Sequence, residues 1–491
     1  MPPQVNEDTY QALKDCIFSG DFATCEAVPA GEPTGYLVNP VGGMALDMAG
    51  PANSSMTTPP VPTLESPEWA AQLAECYWMA LSRDVPFSRN GTDEITIAAA
   101  ACLDFCGGTG VAVAGDGDGC VDPSTKLFRA SFVGADTGPM IFQLLVKVFT
   151  IDSSTVTPKQ ATFKPGVDYM TGHDDWLFIQ NGGAADSHEE MDGGKRYIRN
   201  GRDLSRLVHS DNIYSEFFRG ALILLDEGVA LSKAGSNGPY ADTGGRQPGF
   251  VEYGTSHAMN VRSCEAAQRS AWYQKWNVHL MARPEALIGT LHHVLVGDLQ
   301  GPTLHDAGSR GECFLIFRRR VVSLTVIRTL DLLGVRQATK GGSPAHTSYP
   351  AGHAVQNGAF ATVLKALVGL ERGGECFTDP VLPDDDGLEL VAWEGGSLTY
   401  EGEINKLAAN VAFGRQMTGV HYSFDSTQGL LLGEAVAVRM LQQELMSYPE
   451  AFPCEFRLFD EEVLKLHPDG SISVDGNSCN GDLFTGARRC L

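Results

Sequence analysis

The chain has 491 residues, 43% hydrophobic and 20% charged, a globular composition that excludes wholesale disorder. Its 36 Lys and Arg against 60 Asp and Glu give a formal net charge of −24, which repels phosphate backbones and argues against nucleic acid as a partner. No apolar run approaches the roughly 20 residues of a membrane span, and Met1–Gly20, with Asp8, Lys14 and Asp15, has no apolar signal core.

In chain order, residues 1–65 read as an extended N-terminal segment, rich in Pro, Gly, Ser and Thr from 27 onward. Residues 66–450 read as a helical domain. Its first helix spans Pro67 to Leu81, where apolar residues recur at spacings of three and four. The Gly-rich acidic stretch 106–122 reads as a solvated turn: Asp116, Asp118 and Asp122 suggest calcium, but Leu127 stands where an EF-hand loop needs Glu. Residues 202–232 form two helices or one bent one, 233–254 a loop, and 255–289, 353–371, 402–418 and 426–447 further helices. Residues 451–491 form a β/loop tail with a hairpin over Val463–Val474, turned at Pro468-Asp469-Gly470. The expected fold class is all-α with this small hairpin near the C-terminus.

Arg310 to Lys340 stands apart, with seven basic residues against Glu312 and Asp331. Two readings stay open, a local basic face or a mis-assembled stretch. The 12 cysteines are scattered without a CxxC pair, which gives a zinc ribbon no support; Cys479 and Cys490 are candidates for pairing. Asn53 and Asn90 begin sequons.

Three segments place cations or imidazoles beside tight turns. Lys275 and Arg283 are eight apart, so on one helix they lie within roughly 80° of each other, and Pro284 ends or kinks that helix. His346-Thr347-Ser348-Tyr349-Pro350-Ala351-Gly352-His353 runs into an apolar helix. The helix N-terminus offers free N–H groups and a favourable dipole to an anion, and His353 stands at its mouth for acid–base work. In Arg415 to Asp425, Gly419 ends a helix, His421 lies on the bend, and Asp425 is placed to fix a ring nitrogen or an Arg. Singly these read as a solvated face, an ordinary helix start and a structural His. Together they suit a tetrahedral oxyanion.

The combined pattern resembles the vanadium-dependent haloperoxidases, and within them the bromoperoxidases of marine algae and cyanobacteria. The signature of Lys, then Arg-Pro, then Gly-His, then Arg with His six later and Asp four beyond falls on Lys275, Arg283-Pro284, Gly352-His353, Arg415, His421 and Asp425. Strings such as Gly402-Glu403-Ile404-Asn405-Lys406-Leu407 and Arg196-Tyr197-Ile198-Arg199 extend the likeness over most of 37–465.

The resemblance implies a core of two four-helix bundles, shared with acid phosphatases, and vanadate as cofactor. His421 would be the apical ligand of vanadium, with Lys275, Arg283, Arg415 and the Gly352 amide on the equatorial oxygens. His353 would take the proton of hydrogen peroxide, and Lys275 would polarise the peroxide. Halide would leave as hypohalous acid and halogenate a small organic acceptor, the metal acting as Lewis acid without redox change. His346 would favour bromide and iodide over chloride. Ala351 departs from the family's usual Ser, removing a hydroxyl from the oxyanion. A homo-oligomer, dimer or higher, is implied; the resemblance is compatible with an extracellular or cell-wall location, and the sequence leaves the compartment open. Calcium, bound by some relatives, has only Asp242 to support it. The alternatives are an acid phosphatase of the same fold, with His421 as nucleophile, and an inactive structural paralogue. No GxSxG elbow supports a serine hydrolase.

Overall fold

The computed structural model of the chain describes residues 7–31, 37–45, 50–62, 67–103, 127–136, 138–151, 153–185, 188–209, 214–229, 263–289, 336–450 and 452–478. The acidic turn at 106–122, the loop 233–254 with Asp242, most of the basic stretch and the Cys479/Cys490 pair lie outside them.

The helices that matter to the site are α1 (Glu7–Ser19), α2 (Pro67–Ser82), α3 (Gly201–Leu207), α4 (Tyr214–Asp226), α5 (Ser263–Tyr273), α6 (Gly352–Val368), α7 (Tyr400–Thr418) and α8 (Ser423–Ser447). Every residue of α6 and α7 is buried, including Lys365, Lys406 and Glu403. A helix buried on all sides must have its polar groups paired. Lys406 lies 2.6 Å from Glu403, and Lys365 lies 3.6 Å from Glu434 and 4.1 Å from the Phe459 ring centre. α6 also packs backbone to backbone on α8. A Cβ on Gly433 would lie 1.9 Å from Val355 O, and one on Gly358 2.2 Å from Leu430 O, so only glycine permits this approach.

The helices expected at 67–81, 353–371, 402–418 and 426–447 are present, and the 202–232 pattern resolves into α3 and α4. The all-α expectation is corrected to mainly α. Antiparallel pairs β1–β2 (Phe149–Ile151, Ser154–Val156), β3–β4 (Gln160–Phe163, Met191–Arg196) and β5–β6 (Val381–Pro383, Leu390–Ala392) lie between helices. Strands of three or four residues carry too little alternation to be read from sequence. The expected hairpin is β8–β9 (Val463–Leu466, Ile472–Val474), with Leu464 opposite Val474. It belongs to a four-stranded sheet in the order β10–β9–β8–β7, with β7 at Cys454–Arg457 and β10 at Asn477–Ser478. Its apolar face, Phe456, Leu464, Leu466 and Val474, covers Ala366 of α6 and Val438 of α8.

The first 65 residues are not extended throughout. α1 and the short helix Phe22–Glu26 form a hairpin closed by a Cys16–Cys25 disulfide. Gly42–Met44 and Asn53–Ser55 then lie on α5, where a Cβ on Gly43 would meet Tyr273 N at 2.3 Å. Both sequon asparagines are buried, Asn53 at 4% and Asn90 at 5% exposure, which leaves no room for a glycan. Among the described residues, no helix is long and apolar enough to cross a membrane, and no cluster of three metal-ligating His, Cys, Asp or Glu occurs.

Candidate active site

α5 does not continue through Arg283. It passes into a π-helical turn at Gln274–Val278, and 279–283 are irregular. The expected single helix carrying Lys275 and Arg283 is therefore broken, and Pro284 begins the helical stretch 284–289 instead of ending one. Proline suits a first helical position because the N–H it lacks would be unbonded there anyway. Both cations still meet the same segment, 346–348. Lys275 is 0% exposed and its Nζ donates to Thr347 O and Ser348 O, each at 2.8 Å. Arg283 donates Nε to His346 O at 3.0 Å and one terminal nitrogen to Val420 O at 2.8 Å. The same nitrogen stands 2.9 Å from His421 Nε2, and the other 3.0 Å from His346 Nδ1.

His421 follows the bend expected of it. Gly419, at φ +97°, closes α7 with its N–H on Gln416 O, and Val420 N bonds Arg415 O. Asp425, in the first turn of α8, accepts from Tyr422 N at 3.3 Å and from the Ser348 hydroxyl, and lies 2.9 Å from His421 Nδ1. An ionised carboxylate only accepts, so Nδ1 carries the imidazole proton and Nε2 keeps its lone pair, facing Arg283.

The field is strongly positive. Burial, then the charges of Arg283, Lys275 and Arg415, push the His421 pKa well below its ordinary value, so the ring is neutral. Burial, with Lys275 and Arg283, does the same to half-buried His346. Burial, then Arg283, drives Lys275 well below an ordinary ammonium, while Asp425 opposes the shift. Burial raises Asp425 to about 6, against the Ser348 bond and Lys275.

Arg415, 5% exposed in the last turn of α7, donates to Val208 O at 2.9 Å and adds its charge to that field. Ala351 caps α6 without a side-chain hydrogen bond, and its N–H reaches Asp425 O at 3.1 Å. Gly352 is the first helical residue, and a Cβ there would meet Trp272 Cζ3 at 3.1 Å. His353, 7% exposed, follows it. The Trp272 ring packs on His346 with centroids 5.0 Å apart.

Arg283, His346, His421 and Asp425 thus form one bonded cluster, to which Lys275 is joined through Ser348. Arg415 adds its charge to it, and the start of α6 is tied to it through Ala351. Sequence reasoning missed Ser348, whose hydroxyl reaches Asp425 77 residues on, and the face of α2 behind His421. Ser348 lay inside a noted string, but nothing local marks that bond.

Residues 255–448 match the VCPO second helical-bundle domain. The vanadium-dependent bromoperoxidase of Ascophyllum nodosum is 54% identical over 500 residues, spanning 99% of this chain and 88% of that protein. The one of Corallina pilulifera is 30% identical over 482 residues, spanning 87% and 79%. The homohexameric structure of the second vanadate-dependent bromoperoxidase of Ascophyllum nodosum superposes with a TM-score of 0.89 at 35% identity, over 98% of this chain and 85% of that one. With this likeness spanning nearly its whole length, the chain belongs to the vanadium-dependent bromoperoxidase family.

Proposed function

We propose that this chain is a vanadate-dependent bromoperoxidase that oxidises bromide and iodide with hydrogen peroxide to hypohalous acid, which halogenates small organic acceptors. The observation that carries the reading is the convergence of buried Lys275, Arg283 and Arg415 on a neutral His421. The donor set fits vanadate. Lys275 and Arg283 hold carbonyls and imidazoles, and among the described residues the only carboxylate bonded to His421 is Asp425. An oxyanion among them supplies the negative charge that buried cations need.

Vanadate bound there would supply a Lewis acid and template for peroxide. His421 Nε2 would be the ligand to the metal, with its tautomer held by Asp425. Lys275, Arg283, Arg415 and the Gly352 amide hold oxygens by charge-assisted bonds. His353 would accept the peroxide proton, Lys275 would polarise the peroxide, and His346, packed on Trp272, would line the halide side. Ala351 withholds one hydroxyl donor without emptying the donor set. The finer architecture, two four-helix bundles as in acid phosphatases, and assembly into a homo-oligomer complete the reading; the hexameric relative supports the second.

The test is monochlorodimedone bromination with hydrogen peroxide and bromide. Activity that requires orthovanadate and is lost in His421→Ala supports the reading. Hydrolysis of p-nitrophenyl phosphate without bromination would replace it with a phosphatase.

A further inference from the structure

One face of α2 grips the turn that carries His421. Trp69 packs edge-on against Tyr422, with centroids 5.6 Å apart. Gln72 Oε1 accepts Phe424 N–H at 2.9 Å, and Cys76 Sγ lies 3.5 Å from His421 O. These positions are three and four apart, so they share one helix face. Between them, Glu75 is 4% exposed and hydrogen-bonds the Ser423 hydroxyl. That hydroxyl also lies 3.2 Å from Gln416 Oε1. Glu75, Gln416 and Ser423 line a cavity together with Arg129, Asn410 and Ser426.

We propose that Glu75 is a positioning residue for the vanadate site: through Ser423 and Gln416 it forms a buried hydrogen-bonded chain that locks α2, α7 and α8 together and fixes Arg415 relative to His421. This rests on the functional reading above. A hydroxyl has one proton, so it cannot donate to both Glu75 and Gln416. A protonated Glu75 removes the conflict by donating to Ser423 while Ser423 donates to Gln416, whereas an ionised Glu75 requires the Gln416 amide to turn and donate its N–H to Ser423. Burial supports the protonated form by raising the Glu75 pKa to about 7. The chain reaches the residue directly after Arg415 and the residue two after His421. Those two cofactor-holding side chains come from α7 and from the loop before α8, joined along the chain by Gly419-Val420. A rigid cross-tie from α2 sets what the linker leaves loose, and a glutamine at 75 would make the same bonds as the neutral acid.

The test is orthovanadate affinity of phosphate-free full-length protein by equilibrium dialysis, with the melting temperature recorded for each variant. Glu75→Ala weakens binding by about tenfold or more, the scale of outer-shell losses at metal sites, while Glu75→Gln stays within about threefold of the unmodified protein. Ala74→Gly, which loosens α2 without touching the turn, lowers the melting temperature and leaves affinity unchanged. Unchanged affinity in Glu75→Ala, no rescue by Glu75→Gln, or an equal loss in Ala74→Gly would overturn the proposal. If Glu75→Ala does not fold, Ser423→Ala carries the test with the same expected loss, and unchanged affinity there overturns it. Failure of the unmodified protein to bind orthovanadate overturns the functional reading itself, and this proposal with it.

Discussion

Ala351→Ser separates the two things a hydroxyl would do at the start of α6. Ala351 holds an N-cap backbone, φ −68° and ψ 119°, with no side-chain bond to the helix. Serine there would accept an amide hydrogen of the first turn, which is worth about 1 kcal/mol over alanine. In a chain this long, that moves the melting temperature by only about 2 °C, so urea denaturation is the better gauge. The hydroxyl's own proton would remain for the anion. A hydrogen bond to a charged acceptor contributes about 1.5–3 kcal/mol, or roughly 10- to 150-fold in affinity. The expected result is a slightly higher urea midpoint without vanadate and at least about tenfold tighter orthovanadate binding by dialysis. A higher midpoint with unchanged affinity would show that the start of α6 does not face the oxyanion. A lower midpoint would show that this fully buried position has no room for the hydroxyl.

Three further outcomes follow from the geometry. Asp425→Ala removes the partner of His421 Nδ1, Ser348 and Tyr422 N at once, and orthovanadate affinity by dialysis should fall about 10- to 100-fold. Gly419→Ala forces a side chain onto φ +97° and should cost about 1 kcal/mol in urea unfolding; no loss would mean the bend before His421 tolerates another shape. Glu75 holds its proton to about pH 7 when folded, against an ordinary value of 4.5. The native state therefore binds more protons between those pH values, and stability falls as pH rises through that window, by up to about 3 kcal/mol. Glu75→Gln should flatten the slope of the urea midpoint between pH 5 and 7.5 without abolishing it, because Asp203 and Asp425 are also raised, each to about 6. An unchanged slope would place the proton elsewhere.

The long apolar periods of α6, α7 and α8 and the Pro468-Asp469-Gly470 turn were legible because their signals are local. The gathering of Lys275, Arg283, Arg415 and His421 was legible because their segments, each weak alone, stand near turns or helix ends and together match one motif. The helix through Lys275 and Arg283 was not, because a helical spacing count cannot register a π turn or distinguish a proline that stops a helix from one that starts the next. α1, which contains neither Pro nor Gly, was missed because it was grouped with residues 27–65, whose Pro and Gly content points to extended chain; a disulfide holds it against its neighbour. The bonds from Ser348 to Asp425 and from Glu75 to Ser423 span 77 and 348 residues, distances at which no spacing rule operates.

The most direct test of the central claim is stoichiometric reconstitution. Phosphate-free protein is titrated with orthovanadate while bound vanadium and bromination rate are measured on the same samples. The account requires about one vanadium per chain at saturation, a rate that rises in proportion to it, and loss of both in His421→Ala. Bromination independent of bound vanadium, or full vanadium binding in His421→Ala, would contradict it.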